Sequence, residues 1–154
     1  MAKKLQDIPI LTKQFWKKLG DETADRIRVH TTKGGKDVNN KSFEGYSTIY
    51  KARKTSGKYK RQSSTSSKPD LQLTGDMMRN LQTRGFSKDN VIIGWRDENA
   101  QKIEWNSKMG RTVTSKQRPV SKGIERFILK EVDLAIARNA KEATSKPISF
   151  KIGK

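Results

Sequence analysis

The sequence belongs to the α+β class, and three observations place it there. Two long amphipathic periods lie near the ends, two short β-rich runs lie between them, and a Ser/Lys-rich stretch shows no apolar period at all. The chain has 154 residues, 32% hydrophobic and 32% charged, so one domain (1–154) with a modest core is expected.

The first period runs from about Leu11 to Val29, where Phe15, Trp16, Leu19, Thr23 and Ile27 recur at steps of three and four. Thr12 is placed as its N-cap, Gly34-Gly35 mark its stop, and the other positions are charged with both signs. Gly34 to Ser42 is polar and turn-rich; a short helix then starts near Ser47 and carries Ile49 and Tyr50 into Lys51, Arg53 and Lys54. Residues 55–68 are rich in Ser, Thr and Lys with Tyr59 as their one aromatic, which predicts a basic loop or arm that cannot offset its ordering entropy by burial.

Pro69 to Leu73 reads as a short extended piece leading to Thr74, the expected cap of a helix through Asp76, Met77, Met78 and Leu81. Thr83–Phe86 and Asn90–Trp95, separated by Ser87-Lys88-Asp89, read as two strands and a tight turn. Ala100 to Asn106 predicts a helix ending at Met109-Gly110, and Arg111–Thr114 a brief strand. The last helix starts after Arg118-Pro119-Val120, capped by Ser121, and passes Ala137 with Ile124, Phe127, Ile128, Val132, Leu134 and Ile136 on a broad apolar face. The extension 144–154, with Ile148 and Phe150, has the pattern of a terminal strand.

Composition excludes several kinds of chemistry. With no Cys and a single His (His30), there is no disulfide framework, no thiolate nucleophile and no all-imidazole metal set. No nucleophile elbow, phosphate-binding loop, dinucleotide fingerprint or paired-His motif occurs. Asp76, Asp97, Glu98 and Glu104 match no metal-loop spacing. The expectation is a chain without enzymatic activity, cofactor or metal. No apolar run reaches the roughly 20 residues of a membrane span, and Asp7 interrupts the N-terminus, so a soluble intracellular chain without membrane contact is expected.

Charge is the strongest compositional signal. Thirty-four Lys+Arg against sixteen Asp+Glu give +18 at pH 7, a field that attracts nucleic acid, an anionic membrane surface or an acidic protein, and charge alone does not choose among the three. From Gly45 to Pro69 there is no acidic residue, and Lys51, Arg53, Lys54, Lys58, Lys60 and Arg61, interleaved with Tyr59, are the candidate contacts to phosphates or to an acidic partner. Such binding would be insensitive to base sequence, and a sequence-independent nucleic-acid-binding protein is the alternative reading.

Two blocks carry a resemblance. Phe43-Glu44-Gly45-Tyr46-Ser47-Thr48-Ile49-Tyr50-Lys51-Ala52-Arg53-Lys54 is followed, after the hydrophilic insert, by Pro69-Asp70-Leu71-Gln72-Leu73-Thr74-Gly75-Asp76-Met77-Met78-Arg79-Asn80-Leu81. A strand ending in Ile93-Gly94 and then Arg118-Pro119 before the last helix complete the set. In order and spacing, from about Asp37 to Val132, this resembles the neck and tail-completion (virion morphogenesis) proteins of long-tailed bacteriophages. The matching motif residues are Gly45, Tyr46, Tyr50, Leu73, Thr74, Gly75, Met77, Gly94, Arg118 and Pro119; many relatives place an aromatic residue where this chain has Val120. The resemblance implies a small, mostly antiparallel sheet packed by the two long helices. It also implies a subunit of a homo-oligomeric ring at the head–tail junction of the virion, assembled in the host cytoplasm beside connector and tail proteins, with packaged DNA in the lumen and no enzymatic activity.

Overall fold

The structure, a computed structural model, describes residues 11–56, 69–71 and 75–145. Helix α1 spans Lys13–Thr32, α2 Thr48–Thr55, α3 Asp76–Arg79, α4 Asp97–Lys108 and α5 Lys122–Ser145; strands β1 (Gln82–Phe86) and β2 (Val91–Gly94) form one antiparallel hairpin. The α+β class, the small antiparallel sheet and the two long helices are as the sequence predicts.

Each boundary has a local cause. The Thr12 side chain accepts the Phe15 amide at 3.1 Å and starts α1, which runs one turn beyond Val29 before Gly34 and Gly35 release the chain. Leu19, Thr23, Ala24 and Ile27 are the buried stripe of α1, while Phe15 and Trp16 are only half-buried. The Asp37 carboxylate then accepts the Asn39 and Lys41 amides at 2.8 and 2.7 Å, closing the turn that returns Phe43 to the core.

The hairpin sits directly under α1. A Cβ at Gly20 would lie 2.5 Å from Val91 Cγ2 and 2.6 Å from Thr83 Oγ1, so only glycine lets the helix approach this closely. Thr83 Oγ1 also donates to Asp21 Oδ1 at 2.7 Å, and the Trp16 indole donates to the Lys88 carbonyl at 2.7 Å. Lys17 and then the Thr83 hydroxyl hold the Asp21 carboxyl below its ordinary value. Pairing shifts between Thr83 and Gly85, leaving Arg84 as an extra residue that turns back to the Gly94 and Asn80 carbonyls. Arg28 of α1 donates to the Met78 and Leu81 carbonyls at 3.1 and 3.0 Å and so fixes the start of the hairpin to the helix.

α5 packs against α1, with the Arg26 guanidinium 3.6 Å from the centre of the Phe127 ring. One core joins Ala24, Ile27, Phe43, Leu71, Met78, Leu81, Ile103, Val113 and Ile124.

Three local expectations are corrected. Arg111–Thr114 is irregular: among the described residues a single backbone bond, Val38 amide to Thr112 carbonyl, joins it to a distant segment, where a strand would need a ladder. The approach to α3 is not extended at Leu71, which is buried at φ +56°. The N-cap position of α3 is Gly75 at φ +82°, a left-handed conformation that suits glycine, and not Thr74. Of the expected extension 144–154, Thr144 and Ser145 continue α5, and of the expected loop 55–68, Thr55 ends α2; residues 146–154 and 57–68 lie outside the described residues, as do Leu73 and Thr74. No described helix is long and apolar enough to cross a membrane.

Candidate functional site

The site begins with the spacing of α2. Ser47 caps the helix by accepting the Tyr50 amide at 3.3 Å, and the four-residue steps Tyr46, Tyr50, Lys54 fall on one face. The two tyrosine rings stack at 4.8 Å with a 60° tilt. At the far end of this face the Lys54 ammonium is fully enclosed, with 0% of its side chain exposed, and lies 2.9 Å from Asp70 Oδ1.

Asp70 also links to Tyr46. The tyrosine hydroxyl donates to Asp70 Oδ1 at 3.4 Å and accepts the Asp70 amide at 3.3 Å. Burial, and then the neighbouring Asp70 carboxylate, push the Tyr46 hydroxyl up to about 12. Two cations face the same ring, Lys54 Nζ at 5.0 Å and Arg111 Cζ at 5.1 Å from its centre. Arg111 is itself buried and clamps the chain ahead of α2, donating Nε to the Glu44 carbonyl at 3.1 Å and Nη2 to the Gly45 carbonyl at 3.0 Å. Among the described residues its remaining nitrogen, Nη1, has only the Met109 thioether at 3.9 Å.

Around this node opens a groove of about 740 Å³ between α2, α3 and the end of α4, with the buried Leu71 and half-buried Met77 at its floor and the exposed Met109 beside Tyr46 and Tyr50 along its edge. Lys102 and Arg111 bring positive charge to it, and Asp76, which pairs with Arg79, is the one acidic residue among the described lining. The volume falls within the ~300–1,000 Å³ usual for binding clefts.

The residues singled out from the sequence divide into groups. Tyr46, Tyr50, Gly75 and Met77 line the groove, and the Gly45 carbonyl anchors Arg111. Lys51 and Arg53 are exposed on the outer side of α2 and remain available to an anionic partner. Lys54 does not, because its charge is spent internally on Asp70; the assignment of Lys54 as a phosphate or acidic-partner contact is corrected. Lys58, Tyr59, Lys60 and Arg61 lie outside the described residues. Gly94 and Arg118 work elsewhere: the Gly94 carbonyl accepts from Arg84, Arg118 donates to Asn39 Oδ1 at 2.8 Å, and Pro119 is exposed beside it.

Sequence reasoning missed Asp70 and Arg111 as site residues. Asp70 carried a signal, being the first carboxylate after an acid-free run that begins at Gly45. Arg111 carried none, since its partners are backbone carbonyls from a segment far away in the chain. His30 is a helix-end residue whose Nε2 is 2.9 Å from the Asp37 carbonyl. Among the described residues no group of carboxylates and imidazoles is placed to hold a metal; Glu98 and Glu104 pair with Lys102 and Lys108 instead.

Compared with known proteins, the chain matches no protein-family model, no curated protein and no solved structure.

Proposed function

We propose that this chain is a structural subunit without catalytic activity, built to assemble with its own copies into a ring at the head–tail junction of a phage particle. The observation that carries the proposal is the meeting of the two motif blocks: Tyr46 and Lys54 of the first and Asp70 of the second form one buried node. The two sequence blocks that carry most of the resemblance therefore touch in three dimensions, while Gly94 and Arg118 lie elsewhere in the fold.

Helix α5 offers the surface for self-association. Its 24 residues span roughly 36 Å at 1.5 Å per residue. Ile124, Phe127 and Ile128 turn toward the core, whereas Leu129, Val132 and Ile136 share a different stripe, with Leu129 58% and Ile136 40% exposed. A second copy is the occupant that charge selects. The helix carries five basic residues against four acidic ones in a chain of net +18, so it is a surface where two copies meet without the repulsion that separates them elsewhere. Lys51 and Arg53 then repeat around the ring and face packaged DNA or an acidic neighbour among the connector and tail proteins.

Sedimentation velocity and electron microscopy of the purified chain test this. Ring-sized particles, reduced to monomers of unchanged helical content by Leu129→Glu with Ile136→Glu, are the expected result. A chain that stays monomeric at every concentration, yet binds oligonucleotides of any sequence, would be a nucleic-acid-binding protein instead.

A further inference from the structure

We infer that the groove bounded by Tyr46, Tyr50 and Met109 is a receptor for a short acidic segment of a partner protein, one that carries an apolar side chain beside a carboxylate.

The floor selects the apolar part. Leu71 and Met77 below and Met109 at the edge give the groove an apolar lining, and the two methionines accept varied shapes without a rigid complement. The Met77 backbone is held in place by the Trp95 indole, which donates to its carbonyl at 2.9 Å, so the adaptable part of the floor is the side chains.

The walls select the charge. Arg111 is buried, yet among the described residues its Nη1 meets only a thioether at 3.9 Å, a contact far weaker than a charge-assisted hydrogen bond to a carboxylate. Lys102 stands on the same α4 face as Asn106 and Met109, its nearest carboxylate being the exposed Glu98 at 3.9 Å. An incoming carboxylate improves on both arrangements. Asp76 does not oppose it, because Arg79 already neutralises that charge.

A protein segment fits better than a nucleic acid. A base would have to stack on a ring face, and the Tyr46 ring is already engaged by Lys54, Arg111 and Tyr50. A floor of Leu and Met side chains likewise offers nothing to a sugar–phosphate backbone, whose affinity comes from neutralising phosphates.

The inference stands apart from the ring proposal and is tested on both the wild type and the Leu129→Glu, Ile136→Glu chain. The probe is a fluorescein-labelled peptide alternating Asp and Glu with Leu and Phe, followed by anisotropy; the control peptide has Lys in place of every acid. Saturable binding of the acidic peptide alone is expected. Lys102→Glu and Met109→Glu, both at solvent-exposed positions, should each weaken it roughly tenfold, a loss of about 1.4 kcal/mol. Lys116→Glu, the same charge change outside the groove, should leave it unaltered. Absence of saturable binding overturns the inference. So does an equal loss in Lys116→Glu and Lys102→Glu, which would mark attraction by net charge alone. An oligonucleotide whose binding is lost on Lys102→Glu and Met109→Glu would assign the groove to nucleic acid and overturn it as well.

Discussion

A lysine ammonium with no solvent contact is costly unless it is paired, and in this fold the pairing decides what Lys54 can do. Its partner Asp70 lies at 2.9 Å, and Tyr46 covers both. Taking two charges out of water offsets most of their attraction, so the pair adds little net stability while making each partner indispensable to the other. Lys54→Met alone, or Asp70→Leu alone, removes one half of the buried ion pair and should cost about 3–5 kcal/mol in urea unfolding. The double variant should recover most of that loss. Additive losses in the double variant would show that the two residues contribute by packing and not as an ion pair. The Tyr46 hydroxyl gives the same node a pH signature. Its value is raised from 10.0 to about 12 in the fold, so the folded chain holds the proton longer than the unfolded one. The stability this provides is complete below pH 10 and is lost as pH rises from there to about 12. Alkaline unfolding monitored by tyrosinate absorbance should therefore shift in Tyr46→Phe, with the steep loss above pH 10 flattened. An unchanged alkaline limb would mean that the hydroxyl is solvated.

At the scale of elements, legibility followed the range of the forces involved. Thr12, Ser47 and the three- and four-residue apolar steps act within a few residues, and they located α1, α2 and α5 from the sequence alone. The hairpin was equally legible, because Ser87 closes its own turn by accepting the Asp89 and Asn90 amides at 3.1 and 3.2 Å. What was misread depends on distant partners. Arg111–Thr114 has an alternation that suits a strand, yet the segment does not join the hairpin and is instead held by Arg111 reaching the Glu44 and Gly45 carbonyls. Lys54 has the same character. In sequence it is one more cation in an acid-free run; only Asp70, brought back beside α2, turns it inward. The tight seat of α1 at Gly20 was likewise silent, since a glycine inside a helical period signals nothing until Val91 and Thr83 are seen beneath it.

For the molecule as a whole, the net charge of +18 would set the proposed self-association and the proposed phosphate contacts in opposition, and ionic strength would separate them. Copies that meet through the apolar stripe of α5 must first overcome the repulsion between their remaining surfaces. Raising the KCl concentration shortens the screening length, already about 8 Å at physiological ionic strength, and weakens that repulsion while leaving apolar burial intact. Self-association should therefore strengthen with KCl. The phosphate contacts proposed for the exposed Lys51 and Arg53 would respond the other way, because each neutralised phosphate releases counterions and affinity falls with log salt. Across one KCl series, the sedimentation-average mass should rise while the anisotropy of a single-stranded oligonucleotide falls. Because Leu129→Glu with Ile136→Glu removes the apolar seam and keeps the basic surface, it should abolish the first trend and preserve the second. If mass instead declined with KCl, the copies would be held by ion pairs between oppositely charged patches, and α5 would no longer be the surface that joins them.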